Sequence, residues 1–160
     1  MDFWLDMAPE TDEPHIREEA KVSIEGVHVL LCEDNELNRE IALYLLQSKK
    51  ASVDCAKNGK EAVEQFADSE PGTYDVILMD IRMPVMDGIE AAKRIRSLKR
   101  PDALTVPIIA MTANAFEEDK KMSREAGMNE HLSKPIDAGL LCRMIQRYTG
   151  GYFNTGRREF

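Results

Sequence analysis

The chain of 160 residues has few cysteines and no long apolar segment. Its three cysteines are an odd number without close spacing, which argues against a disulfide framework and against a zinc site. No apolar run approaches the ~20 residues of a membrane helix, and the acidic N-terminus lacks the basic and apolar regions of a secretory signal. These absences predict a cytoplasmic protein that makes no contact with a membrane.

Clustered basic charge is missing as well. Residues 1–26 hold eight acidic and two basic residues, and they therefore carry most of the net charge of −8. Because phosphates are bound by clustered lysines and arginines, we expect no nucleic-acid binding. We predict an acidic N-terminal leader or linker over residues 1–26, one domain over residues 27–149 and a C-terminal tail over residues 150–160. The apolar residues near position 4 leave a helical arm as the alternative for the leader.

From residue 27 onward, short apolar runs alternate with longer segments of helical periodicity. Leu37, Ile41 and Leu45 illustrate the fourfold spacing that defines one helical face. Continuous apolar runs indicate strands that are buried on both faces, as in a parallel sheet. The pattern predicts a doubly wound α/β domain with five helices and a five-stranded parallel sheet of flavodoxin-like order 2-1-3-4-5. The predicted strands are 27–32, 52–56, 74–79, 106–111 and 129–133.

Polar residues follow four of these strands, at the sheet edge where α/β proteins bind ligands. They are Glu33, Asp34, Asp80, Thr112 and Lys134, and Pro135 directly follows the lysine. Three carboxylates at one edge repel each other, and a single lysine leaves the group at −2, the charge that one divalent cation neutralises. Oxygen ligands completed by water are typical of Mg²⁺. The strand ends therefore predict a magnesium site.

Four motifs at this edge resemble the signature of the response-regulator receiver domain, and the resemblance covers about residues 27–148. The motifs are EDN at 33–35, MDIRMPVMDG at 79–88, MTANA at 111–115 and SKPI at 133–136. The resemblance implies a phospho-acceptor domain that takes a phosphoryl group from a histidine kinase or a histidine phosphotransfer domain. The segment NREIALYLL at 38–46 resembles the corresponding sequence in the receivers of hybrid histidine kinases.

The resemblance also assigns roles to the residues of the edge. Asp80 would accept the phosphoryl group, and Asp34 and Asp80, with the backbone carbonyl of Arg82, would hold Mg²⁺. Glu33 would act mainly through bound water. Thr112 and Lys134 would contact the phosphoryl group, and the peptide bond between Lys134 and Pro135 would be cis.

One position departs from the family pattern. Three residues before the lysine, the family usually has a tyrosine or phenylalanine that couples to the switch hydroxyl of Thr112, whereas this chain has His131. Both a switch role and a solvent-facing histidine without a regulatory role remain open. The helix after Thr112, predicted over 115–126, is the most polar of the five, and its only large apolar anchors are Phe116 and Met122. We expect this helix to be loosely held and to respond to the state of the site.

Other function classes fit the sequence less well. We expect the chain to be a monomer or a weak dimer, and a stand-alone single-domain regulator is the alternative within the same class. An aspartate-nucleophile phosphatase would use a second acid two residues after Asp80, where this chain has Arg82. A flavin-binding protein needs a phosphate-binding loop after the first strand, where EDNELN is acidic. We therefore expect no conventional enzyme within this chain beyond self-phosphorylation and dephosphorylation.

Overall fold

The computed structural model describes residues 23–113 and 117–149. Within them, five parallel strands form one sheet in the order β2-β1-β3-β4-β5, which confirms the predicted doubly wound α/β fold. The strands are β1 (His28–Cys32), β2 (Ser52–Ala56), β3 (Val76–Asp80), β4 (Ile108–Thr112) and β5 (Glu130–Ser133). The helices are α1 (Glu36–Ser48), α2 (Gly59–Asp68), α3 (Gly88–Arg96), α4 (Glu117–Glu125) and α5 (Ala138–Thr149).

Helices cover both faces of the sheet, as the continuous apolar strands predicted. Every residue of β3 and of β4 is buried. Successive residues of a strand point to opposite faces, so the strands supply two core clusters. Leu30 and Ile77 pack in one cluster with Phe66 of α2, whereas Leu31 and Leu78 belong to the other.

The strands β3 and β4 begin and end slightly later than the sequence predicted. The predicted ranges were 74–79 and 106–111, and the observed strands end at Asp80 and Thr112. Both site residues are therefore the last residues of buried strands, which fixes their backbone by sheet hydrogen bonds on a rigid edge.

The buried face of α1 is not the predicted one. The spacing of Leu37, Ile41 and Leu45 predicted a core-facing stripe, but Leu37 and Ile41 are exposed, and Leu45 is only partly buried. The residues of α1 that are fully buried are Ala42 and Leu46. The helix carries apolar residues on two sides, and the sheet covers the side with the small alanine.

The folded body includes a residue of the predicted leader. Ile24 is fully buried in the same cluster as Leu31, although the sequence pattern placed residues 1–26 outside the domain. Most of that leader and the predicted tail over 150–160 lie outside the described residues. Among the residues that the structure describes, no helix has the length and the apolar character needed to span a bilayer.

The α4 helix also differs from its predicted packing. Met122, predicted to be an apolar anchor, is about half exposed, and Phe116 lies outside the described residues. Among residues 120–125, the part of this helix whose burial the structure describes, Ser123 is fully buried, and Ala126 is buried just beyond the end of the helix. Sequence periodicity weights large apolar residues, so a buried serine in a polar helix gives no such signal.

Candidate functional site

The three predicted acidic residues meet at the carboxyl ends of β1 and β3. These strands are adjacent and in register from Val29 opposite Val76 onward, so Glu33, Asp34 and Asp80 leave the sheet side by side. One carboxylate oxygen from each acid lies within 4.8 Å of the others. Glu33 and Asp80 are only 2% and 4% exposed, whereas Asp34 is open to solvent. The group therefore has two buried carboxylates and one that is accessible to solvent.

Lys134 reaches this group from β5, two strands away from β3. Its Nζ lies 2.9 Å from Glu33 Oε1 and 3.1 Å from Asp80 Oδ2. Its backbone N–H donates to the carbonyl of Thr112, which fixes the start of the loop, and its peptide bond to Pro135 is cis. One ammonium thus compensates two buried carboxylates, and the third acid stays uncompensated within the group.

The electrostatics of the site reflect this shortage of positive charge. Burial and the neighbouring Glu33 carboxylate raise the pKa of Asp80 to about 7, against the opposing effect of Lys134. Burial alone would lower the pKa of Lys134, but its hydrogen bonds to Glu33 and Asp80 raise it above its ordinary value. A second cation beside Asp80 would favour the ionised carboxylate.

Backbone groups near the acids are already arranged around them. The N–H of Arg82 donates to Asp80 Oδ1, and the N–H of Asn35 donates to Glu33 Oε2. Asn35 also caps α1 through its own side chain, so the cap does not use the Asp34 carboxylate. The N-cap of α1 is therefore Asn35, and the Asp34 carboxylate does not serve as the cap.

Arg39 of α1 is a site residue that the sequence pattern missed. Its guanidinium donates to the carbonyl oxygens of Glu33 and Asp34, at 3.0 and 3.4 Å, and thereby ties the loop after β1 to the first turns of α1. The signal was available, because an arginine in the second turn of a helix can fold back over the loop that precedes it. The contact positions both acids without touching their carboxylates.

The loop after Asp80 is held at two glycines. The N–H of Gly88 donates to the Ile81 carbonyl, and the N–H of Gly59 donates to the Met86 carbonyl. A Cβ on Gly88 would lie 2.2 Å from the Asp80 carbonyl oxygen, and one on Gly59 would lie 2.3 Å from the Met86 carbonyl oxygen. Both distances are shorter than any real carbon–oxygen contact, so these positions require glycine.

The tip of the same loop is a tight turn around Val85. The N–H of Met86 donates to the carbonyl of Pro84, and Val85 between them has φ 68°. This is the backbone pattern of a classic γ-turn, which is rare and strained for a β-branched residue. The strain lies in the backbone of Val85, and the side chain of this residue is exposed to solvent. The two glycine contacts hold the loop in this conformation.

Thr112 and His131 occupy the next two strands. Thr112 is buried at the end of β4, opposite Ser133. His131 lies opposite Ala110 and is partly buried, and its Nε2 forms a hydrogen bond with the Ser123 hydroxyl of α4. The histidine is therefore held between β5 and α4, unlike the solvent-facing alternative. A switch role for either residue stays a prediction.

The residues present fit a hard divalent cation. The donor set is made of oxygens only, and two of the three carboxylates have little exposure, with Glu33 directly after β1 and Asp80 at the end of β3. No nitrogen or sulfur ligand joins them in that group of side chains. Hard oxygen donors with one side open to water are the coordination that Mg²⁺ prefers.

The parallel sheet of order 2-1-3-4-5, with acids after β1 and at the end of β3 and a lysine after β5, defines a doubly wound α/β domain with an acidic site at the carboxyl ends of its strands. The family model described as the response regulator receiver domain matches residues 29–146. The chain belongs to this receiver-domain family, which confirms the resemblance found in the sequence.

Known proteins similar to the chain include hybrid histidine kinases. Hybrid signal transduction histidine kinase M of Dictyostelium discoideum is 43% identical over 120 residues, which are 74% of this chain and 5% of that protein. The aerobic respiration control sensor protein ArcB of Escherichia coli is 37% identical over 131 residues, which are 82% of this chain and 16% of that protein. The chain thus spans a small part of the length of these relatives.

Two solved structures are similar in both sequence and fold. The receiver domain of sensor histidine kinase PA1611 from Pseudomonas aeruginosa, with magnesium in its active-site cleft, is 39% identical with a TM-score of 0.71 and covers 78% of this chain and 98% of that one. A co-crystal structure of the Saccharomyces cerevisiae phosphotransfer protein Ypd1 and the receiver domain of Ssk1 gives 34% identity and a TM-score of 0.71, over 79% and 91% of the two chains.

Proposed function

We propose that Asp80 accepts a phosphoryl group from a phosphohistidine on a histidine kinase or a histidine phosphotransfer domain. The observation that carries this proposal is the pairing of one ammonium with two buried carboxylates beside a third, exposed carboxylate. Such a cluster carries excess negative charge, which a metal ion offsets, and the metal ion together with Lys134 then neutralises the charge of a transferring phosphoryl group.

In this mechanism an oxygen of Asp80 attacks phosphorus, the phosphorus–nitrogen bond to histidine breaks, and an acyl phosphate forms. The electron pair of that bond stays on the histidine ring, which takes up a proton. Asp80 Oδ1 is held by the N–H of Arg82, and Oδ2 faces Lys134. Lys134 is therefore placed to pair with the phosphoryl oxygens, and Thr112 supplies a hydroxyl from the neighbouring strand.

A magnesium ion would be held by the carboxylates of Asp34 and Asp80 and the backbone carbonyl of Arg82, with Glu33 contributing mainly through water. When bound, the ion would neutralise negative charge on the transferring phosphoryl group. Magnesium in the active-site cleft of the similar PA1611 receiver domain supports this assignment.

An exposed apolar stripe on α1 supplies a docking surface for the phosphodonor. Leu37, Ile41 and Tyr44 follow each other at helical spacing, and Leu37 and Tyr44 are 66% and 71% exposed. A shallow groove beside Ile41 is also lined by Glu33 and Lys134, so the stripe leads directly to the acidic cluster. Clustered exposed apolar side chains mark interaction sites, and the similar structure with Ypd1 supports a phosphotransfer domain as the partner.

We assign the chain to a two-component phosphorelay, as part of a hybrid sensor histidine kinase, because hybrid kinases are among its relatives. A stand-alone regulator remains the alternative. The cytoplasmic location predicted from the sequence belongs to the same proposal. The exposed Arg82 occupies the position at which a phosphatase would need its second acid, and it therefore favours an acceptor over a phosphatase.

Incubation with acetyl phosphate and Mg²⁺, followed by intact mass and peptide mapping, tests the acceptor. We expect one phosphoryl adduct on Asp80 and complete loss of that adduct in Asp80→Asn. Asp68→Asn, an exposed aspartate at the end of α2, is the matched control and should be labelled normally. An adduct at another residue, or normal labelling of Asp80→Asn, would contradict the assignment.

The docking surface is tested by a transfer assay from a phosphorylated histidine phosphotransfer domain. Tyr44→Ala and Leu37→Ser should slow transfer about tenfold or more, since interface aromatic residues contribute over 1 kcal/mol, while labelling by acetyl phosphate stays normal. Leu104→Ser is the control, because Leu104 is equally exposed at the opposite edge of the sheet. Equal rates for all three variants would exclude the α1 surface.

A further inference from the structure

Ser123 is buried in α4, and its one hydroxyl group takes part in two hydrogen bonds. Its side chain is 0% exposed, and its Oγ lies 3.1 Å from the carbonyl oxygen of Lys120. The same Oγ forms a hydrogen bond with Nε2 of His131 in β5. A buried polar side chain without such partners would be costly, and of the two contacts the one with His131 links α4 to the sheet.

The directions of these two hydrogen bonds depend on whether Nε2 of the His131 ring carries a proton. A carbonyl oxygen only accepts, and a serine hydroxyl has one proton to donate. When the hydroxyl donates to Lys120, Nε2 of His131 must carry a proton and donate to Oγ. When the hydroxyl donates to an unprotonated Nε2, the Lys120 carbonyl keeps only its helical partner. The two arrangements correspond to different protonation patterns of the His131 ring.

The pair lies between the site and the fixed end of α4. His131 is two residues before Ser133, which is opposite Thr112, and three residues before Lys134. At the other end, α4 closes with a Schellman motif around Gly127, which has φ 98°. The Arg96 guanidinium donates to the Gly127 carbonyl at 2.7 and 3.0 Å. With this end tied to α3, the Ser123–His131 contact joins the last turn of α4 to β5, the strand that directly precedes Lys134.

From this placement we infer that Ser123 is a positioning residue for His131. It sets the ring orientation and the protonated nitrogen of His131, and through that contact it couples the phosphorylation state of Asp80 to the packing of α4. The inference rests on the proposed function of Asp80. It assigns to a serine–histidine pair the coupling that a tyrosine or phenylalanine at position 131 would provide by rotation.

The test uses the whole chain labelled with ¹⁵N at its histidine rings, with and without Mg²⁺ and beryllofluoride as phosphoryl mimic. In the wild type we expect the ring ¹⁵N shifts of His131 to change on adduct formation. Ser123→Ala should alter those shifts already without the mimic, and it should speed amide exchange in α4 about fivefold, as loss of one typical hydrogen bond predicts. Ser123→Thr, which keeps the hydroxyl, should restore the wild-type pattern.

Ser97→Ala is the matched control, because the Ser97 hydroxyl also donates to a carbonyl three residues earlier but has no histidine partner. It should leave the His131 ring spectrum unchanged. If Ser123→Ala and the wild type have the same ring spectra without the mimic, the positioning role is wrong. If the adduct forms, as seen by ¹⁹F NMR, and the ring shifts stay constant, the coupling is wrong. Failure of the adduct to form would instead overturn the proposed function, and the ring spectra without the mimic would still decide the role of Ser123.

Discussion

The two ends of the sheet differ in how far their buried charges are paired with charges of opposite sign. Near the amino ends of the strands, Arg100 pairs with Asp102, stacks over the ring of Phe66 and donates to backbone carbonyls. At the carboxyl ends, Glu33, Asp34 and Asp80 share a single lysine. The first arrangement compensates every charge that it buries, whereas the second leaves negative charge in excess.

The pKa values of two aspartates express this difference. Burial would raise the pKa of Asp102, but the Arg100 hydrogen bond and the N–H of Gly72 lower it below its ordinary value. Burial and Glu33 instead raise that of Asp80. The paired end contributes stability, and the site end gives up stability because burial and Glu33 disfavour the ionised form of Asp80. Substitutions at the two ends should therefore change stability in opposite directions.

The largest expected effect is a loss at the paired end. Arg100→Met should lower the free energy of unfolding by about 2–4 kcal/mol, because Asp102 and several carbonyls lose a buried partner. Urea denaturation at pH 7 measures the change. Arg94→Met is the control, since Arg94 pairs with Glu90 only on the exposed face of α3 and should change stability by less than about 0.5 kcal/mol. Equal effects of the two substitutions would remove the contrast.

At the site end, Asp80→Asn should stabilise the metal-free protein. A carboxyl group whose pKa is higher in the folded state stabilises the fold at low pH and loses that contribution as the pH rises through the folded value, here about 7. We therefore expect a gain on the order of 2 kcal/mol at pH 8 and a smaller gain at pH 5. Denaturation in EDTA at both pH values measures it, and a gain independent of pH would contradict the electrostatic cause.

Magnesium should remove part of the deficit at the site end. At ten times its dissociation constant, Mg²⁺ should raise the free energy of unfolding by about 1.4 kcal/mol. Asp34→Ala should abolish this stabilisation, whereas Glu33→Ala should weaken it less. Thermal melts over a Mg²⁺ series, with Ca²⁺-free buffers and Asp68→Asn as control, provide the measurement. Full stabilisation of Asp34→Ala by Mg²⁺ would exclude Asp34 as a ligand.

The smallest expected effect concerns one hydrogen bond away from the acidic site, between Tyr74 and Asp54. The Tyr74 hydroxyl donates to Asp54, which also pairs with His28. Tyr74→Phe should cost about 1 kcal/mol. Tyr44→Phe, at an exposed position of α1, should leave stability unchanged. A loss of the same size in both variants would show that the Asp54 contact contributes nothing measurable.

Much of the fold and of the site was predictable because both depend on patterns that are local in the sequence. Continuous apolar runs identified β1, β3 and β4, and the alternation of short segments with helical ones located β2 and β5. The ligand-binding rule for α/β sheets then brought Asp34, Asp80 and Lys134 to one edge. The rule works because parallel strands all end at the same edge, so residues far apart in sequence meet without any further information.

The missed features depend on which side of a helix the sheet covers. Leu37 and Ile41 form a regular stripe, yet α1 packs through Ala42 and Leu46, and a small alanine adds little to an apolar pattern. Ser123 was missed because a buried serine resembles an exposed one in sequence. A weak signal did exist, since Ser123 lies three residues before the buried Ala126 and shares its helical face.

The two glycines beside the acceptor loop have a genetic consequence. Any amino acid reached from a glycine codon by one base change carries a Cβ, and at Gly59 and Gly88 that atom has no room beside a backbone carbonyl. Neither residue contributes a side chain to the site, yet every single-step missense change at these codons should shift the loop that follows Asp80, the proposed acceptor. A random mutational screen for lost signalling should therefore recover these two codons alongside the codon for Asp80.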